Sequence, residues 1–191
     1  MRWPEHDEEH PAGRSVDWRT VAVVAMGAFA FGLLGQRFDP AADPVAFGAF
    51  GLWFATLVVG FAIDLDQRLL PDELTIPVIP LALIFDVMGR NPLVGAEVGP
   101  AIAVAVLVPL VLFVLSIPFG AGAFGLGDVK LLVGVGLMTG LTRTYTGLLA
   151  GLLAAGIVLA VLLATRRIGR RAFVPFGPFL IFGALWGIYV R

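Results

Sequence analysis

Polar residues in this chain of 191 fall in short clusters that divide long apolar runs. After a polar opening from Met1 to Thr20, apolar stretches recur at residues 21–38, 45–63, 74–88, 100–118, 129–141, 144–165 and 174–190. A helix needs roughly 20 apolar residues to cross the hydrocarbon of a bilayer, so the pattern predicts about seven spans, the third and fifth of them short. The runs do not alternate apolar with polar residues as barrel strands would. Helix is the other structure that satisfies its own backbone in hydrocarbon. The expected fold is an all-α, polytopic membrane helix bundle of about seven transmembrane helices. Residues 1–20 are read as a cytoplasmic N-terminal tail and residues 21–191 as one transmembrane domain. The acid-rich tail does not match the basic start of a cleaved signal peptide.

Composition supports a lipid solvent, since 59% of residues are apolar and only 14% are charged, with a mean hydropathy of +0.94. That is too little polar side chain to coat a water-soluble globule of this size. The net charge of −1 offers no field for nucleic acid. Of the 13 basic residues, seven spans with a cytoplasmic N-terminus place nine on the cytoplasmic side and four on the other, as the bias of Lys and Arg toward the cytoplasm requires. Four of the nine lie in the cluster Arg166, Arg167, Arg170 and Arg171, read as an anchor to anionic lipid. The expected location is the inner, cytoplasmic membrane of a cell.

The residue inventory narrows the chemistry. Cysteine is absent, which removes thiolate nucleophiles and Cys-ligated metals. Both histidines, His6 and His10, lie in the tail, and the only serines are Ser15 and Ser116. There is no HExxH zinc motif and no Ser-His pair within the membrane body. Carboxylates remain: Asp39, Asp43, Asp64, Asp66, Asp72, Glu73, Asp86, Glu97 and Asp128. An acid at a membrane helix end is costly unless solvated or partnered, and so marks a candidate functional site. Asp64 closes the second span and Asp128 opens the fifth, which puts both on one side of the bilayer. Two carboxylates in a poorly solvated site do not both ionise, so one keeps a proton while the other draws one from water. Such a pair hydrolyses an amide without metal or cofactor, and none is expected. Asp66 stands close enough to Asp64 to compete as the first member. Asp86 and Arg90, four apart, are read as a helical ion pair.

Three stretches carry a family resemblance. Asp64-Leu65-Asp66-Gln67-Arg68-Leu69-Leu70-Pro71-Asp72-Glu73-Leu74-Thr75 resembles the aspartate loop of bacterial type IV prepilin peptidases. Gly125-Leu126-Gly127-Asp128-Val129-Lys130-Leu131 is similar to their GxGD signature. Val174-Pro175-Phe176-Gly177-Pro178-Phe179-Leu180 is similar to the PFGPFL element that opens their last helix. The resemblance implies a six-helix GxGD peptidase core plus one N-terminal helix. It implies that Asp64 and Asp128 are the catalytic pair, and that the substrate partner is a prepilin-like precursor with a short basic leader ahead of a hydrophobic helix, cut at the cytoplasmic face. Substrate-lining roles for Pro175, Phe176 and Gly177 rest on the resemblance alone. Gly125 and Gly127 either permit close helix packing or let a substrate backbone approach Asp128. Lys130 either reaches lipid phosphate or works beside the pair. Many bacterial members carry paired cysteines with an N-methyltransferase activity, and this cysteine-free chain is expected to act as a peptidase only. The alternative is a small secondary transporter or channel handling protons or cations at Asp64 and Asp128, against which stands the lack of any internal repeat.

Overall fold

The computed structural model describes residues 17–119, 124–167 and 176–190. Every regular element among them is helical: α1 (Trp18–Arg37), α2 (Pro44–Gln67), α3 (Asp72–Thr75), α4 (Val78–Val87), α5 (Val98–Ser116), α6 (Leu126–Ala164) and α7 (Gly177–Tyr189), with a short 3₁₀ turn after α5. Four of them, α1, α2, α5 and α6, are long and apolar enough to cross a membrane. The chain is thus a multi-pass membrane helix bundle. The tail up to residue 16, Arg170, Arg171 and Pro175 lie outside the described residues.

The third apolar run does not form one helix. Asp72–Thr75 makes a single turn, and α4 starts afresh at Val78 behind Pro77, whose missing N–H and fixed φ interrupt a continuous ladder. The fifth and sixth runs are joined in α6, whose 39 residues would measure about 58 Å if straight, against a hydrocarbon core of about 30 Å. Gly140 breaks it, with φ 73° and ψ −179°, a conformation essentially reserved for glycine. The arms 126–139 and 141–164 therefore behave as two helices.

The break frees carbonyls inside the bundle, and a buried polar pair takes them up. Asn91 Nδ2 donates to Met138 O at 3.1 Å and to Leu137 O at 3.5 Å, and also to Asp86 Oδ1 at 2.7 Å. Asp86 is 1% and Asn91 2% exposed. This corrects the helical pair expected for Asp86 and Arg90: Asp86 points inward to Asn91, while Arg90 is exposed and in none of the ion pairs among the described residues. Replacing Asn91 by Ala leaves Asp86 and the carbonyl of Met138 without this donor, at about 1–3 kcal/mol for each buried group left unpaired. A clear fall in the thermal midpoint of the detergent-purified Asn91→Ala protein is expected; an unchanged midpoint would mean that these groups find other partners.

Helix α7 is held to the second arm of α6 by backbone contact. A methyl group on Gly147 or on Gly183 would collide with the carbonyl oxygen of the other, one on Gly151 with that of Phe179, and one on Gly187 with that of Arg143. Small residues four apart on both helices are what allow such an approach, and in lipid this packing replaces a hydrophobic driving force. The other side of α7 meets α2 in an apolar core in which Phe50, Phe54, Leu57, Ile181 and Leu185 are almost fully buried. Clamped between α2 and α6, the N-terminus of α7 is delivered to the end of the bundle where α2 ends and α6 begins.

Candidate active site

Along α2 the buried residues Phe50, Trp53, Phe54, Leu57, Gly60, Phe61 and Asp64 recur at steps of three and four, the spacing of one helical face. Asp64 is the last member of that inward stripe and is 4% exposed. Two positions on, about 200° around the helix, Asp66 is exposed and accepts from Arg19 of α1 at 2.8 Å. The ambiguity between the two acids is thereby settled as to place: Asp64 faces the bundle and Asp66 faces outward. Asp64 Oδ2 is buried and has no hydrogen-bond partner among the described residues.

Asp128 stands in the first turn of α6, after the non-helical cap Gly125, whose N–H lies 3.4 Å from Asp128 Oδ2. It is partly buried. Asp128 and Asp64 are linked through their neighbours: Gly127, next to Asp128, and Gly177, packed on Asp64, both lie against Leu70. The spans that carry them, far apart in sequence, thus place both carboxyls at the same end of the bundle. Arg19, Asp66, Asp72 and Lys130 collect there too, whereas Arg37 bonds the Tyr189 carbonyl and Arg143 that of Leu93 at the opposite end.

The side chain that packs where these helix ends meet is Leu70. Helix α2 ends at Arg68 in a left-handed conformation, φ 56° and ψ 38°, and this reversal folds the following residues back onto the bundle. A methyl on Gly127 would lie 2.9 Å from Leu70 Cβ, one on Gly60 3.3 Å from its Cδ2, and one on Gly177 3.3 Å from its Cδ1. Three helices thus offer a glycine to the same side chain. The methyl on Gly177 would also come within 2.8 Å of Asp64 Oδ2. No periodicity or motif announces this contact, because it depends on where three helix ends converge.

The remaining expected site residues, Pro175 aside, sit nearby. Gly125 adjoins the carboxylate of Asp128, 3.3 Å from where its methyl would be. Gly127 packs against Leu70, and Gly177 against Asp64 and Leu70. Lys130 Nζ bonds Asp72 Oδ1 at 2.6 Å, tying α3 to α6. Phe176 is partly buried, its ring 6.4 Å from that of Phe124 in an edge-on arrangement. With Asp72 half exposed, its pair with Lys130 contributes no more than about 1 kcal/mol.

Known proteins share this arrangement of sequence. The family model described as the type IV leader peptidase family matches residues 51–165. A prepilin leader peptidase/N-methyltransferase of Burkholderia pseudomallei is 36% identical over 163 residues, covering 84% of this chain and 50% of that protein. Proteins of the same name from Dickeya chrysanthemi and Pectobacterium carotovorum are 30% and 28% identical, over 95% and 93% of this chain and 63% and 62% of theirs. The chain thus spans about half to two thirds of the length of these relatives. No solved structure matches it significantly.

Proposed function

Because the chain belongs to the type IV leader peptidase family, we propose that it is a membrane-embedded aspartic endopeptidase that removes the short basic leader from type IV prepilin-like precursors. The observation that carries the reading is the meeting of the helix ends that bear Asp64 and Asp128, from α2 and α6, around Leu70 at one end of the bundle. Of the two, Asp128 is the better placed to carry negative charge, with a backbone N–H beside it and the N-terminus of a helix behind it. We assign the proton of the pair to Asp64, which is enclosed and whose Oδ2 has no hydrogen-bond partner among the described residues.

In the reaction a water between the carboxyls gives a proton to Asp128 as its oxygen attacks the scissile carbonyl carbon. Asp64 donates its proton to the carbonyl oxygen, forming a neutral tetrahedral diol. Breakdown returns a proton from one diol hydroxyl to Asp64 and passes the proton on Asp128 to the leaving nitrogen, so the pair ends as it began. A poorly solvated site strengthens each of these steps electrostatically. Gly125 and Gly127 would let a substrate backbone come beside Asp128 once Leu70 moves aside, and Phe176 and Gly177 are assigned to the wall on the Asp64 side. The transporter alternative has no support in the family or in the relatives named.

The test is leader release from a model prepilin by the purified protein in liposomes, followed by mass spectrometry of both products. Release should continue in EDTA, serine-directed phosphonates and thiol reagents. Abolition by any one of them would replace the aspartyl mechanism. For cleavage at the cytoplasmic face, the basic-residue bias puts the N-terminus inside, so a reporter fused after Arg171 should behave as cytoplasmic and one after Arg191 as external. Reporters on the same side would break the seven-span arrangement.

A further inference from the structure

We propose that the groove between α2 and α4 is the docking surface for the apolar helical segment of the substrate, a proposal that rests on the peptidase reading above. The groove encloses about 440 Å³ and is walled by residues such as Leu52 and Trp53 of α2 and Leu81, Ile84 and Phe85 of α4. It does not end blindly. Trp53, Thr56, Leu74 and Val78 also line a narrower crevice whose far end is formed by Gly60, Leu70 and Lys130. Gly60 is one helical turn before Asp64, Lys130 is two residues past Asp128, and Leu70 packs against Gly127 and Gly177 beside them. The groove and the crevice share a wall, and the crevice points from the lipid-facing flank of the bundle toward the helix ends that carry the two acids, neither of which lines it.

The lining specifies the occupant. Two polar side chains border the groove, Thr56 and Glu73. The hydroxyl of Thr56 is taken by the carbonyl of Leu52 at 3.0 Å. Glu73 makes none of the ion pairs among the described residues, and it stands at the end of the groove nearest the site, in the turn that precedes α4. The matching ligand is an apolar helix whose polar, positively charged end meets Glu73 while its length lies along α4. The ten residues of α4 offer it a wall about 15 Å long, close to three helical turns. A substrate in which a basic leader precedes a hydrophobic helix has this order of charge and apolar surface. Its peptide bond at the junction would then fall beside Leu70, which must shift to let it reach the two carboxyls.

Two substrates separate docking from chemistry: a full-length prepilin, and a soluble peptide with the same leader and scissile bond but no apolar segment. Leu81 is 58% exposed in the groove wall, and Leu81→Trp fills the groove without touching the site. For the full-length substrate KM should rise about tenfold with kcat unchanged, the mark of lost uniform binding, and the peptide should be cleaved as before. Equal loss on both substrates, or none on either, would overturn the proposal. Because the chain contains no cysteine, Leu52→Cys can be cross-linked by a bifunctional thiol reagent to a cysteine in the prepilin's apolar segment, with Val111→Cys on the lipid face of α5 as control. Cross-linking at Leu52→Cys alone is expected. Equal or absent cross-linking at both would mean that only lipid fills the groove. Cross-linking needs no turnover, so failure of the peptidase reading and failure of docking are told apart.

Discussion

Asp64→Asn and Asp128→Asn should each reduce leader release to background, a loss of about 10³-fold or more, at the upper range for removing a positioned acid or base. An amide keeps the shape of the carboxyl but neither carries its charge nor exchanges its proton. Folding should survive, because the buried Asp64 Oδ2 has no hydrogen-bond partner among the described residues to lose. The double variant should be hardly worse than either single one, since groups that act as a unit do not lose rate additively. Asp66→Asn and Asp72→Asn remove only exposed pairs, with Arg19 and Lys130, each worth no more than about 1 kcal/mol, and should keep most of the activity. The measurement is the initial rate of cleavage in liposomes, on variants first shown to elute as a single species. Full activity in a well-folded Asp128→Asn would end the aspartyl reading. Loss in Asp66→Asn with retention in Asp64→Asn would move the first catalytic aspartate outward by two residues.

The glycines around the pair should show a graded response that tracks geometry. Gly177→Ala places a methyl 2.8 Å from Asp64 Oδ2 and 3.0 Å from its Cγ, closer than real contacts allow, and the clamped α7 backbone cannot retreat. The carboxyl must turn away from its partner. A displacement of about 1 Å at reacting groups costs on the order of 10²-fold in rate. Gly127→Ala meets Leu70 Cβ at 2.9 Å and Leu70 O at 3.0 Å, so the loop after α2 has to move, and a loss of similar order is expected. Gly125→Ala comes only to 3.3 Å of Asp128 Oδ2, the end of a side chain that can yield, and should cost far less. Cleavage rates and thermal midpoints of the three variants check the order. Equal activity in all three would mean that the close approach of these helix ends is not needed for turnover.

Membrane character, helical class and the pair of candidate aspartates were all legible in the residues themselves. Lipid excludes irregular backbone and isolated charge, so a run of apolar residues interrupted by a few acids leaves few alternatives. The inward stripe from Phe50 to Asp64 was not, because α2, Thr56 aside, is apolar on every side as far as Ile63, and only the neighbouring helices separate Asp64 from Asp66. The break at Gly140 was no more visible, since one glycine among 24 carries no mark of its φ until neighbouring helices impose it. Asp86 was expected to pair with Arg90 and bonds Asn91 instead, because spacing along a helix says which side chains are neighbours but not which face is buried.

By itself, then, the sequence determined the solvent, the secondary structure and the chemistry available, because each follows from composition and local order. Only the tertiary structure decided that α7 approaches α6 backbone to backbone, that Gly60, Gly127 and Gly177 close on Leu70, and that a groove opens between α2 and α4. Those features arise from how helices distant in the chain cross, and crossing depends on complementary surfaces brought together in space. A glycine reads the same in sequence whether it faces lipid, a neighbouring backbone or a catalytic carboxyl.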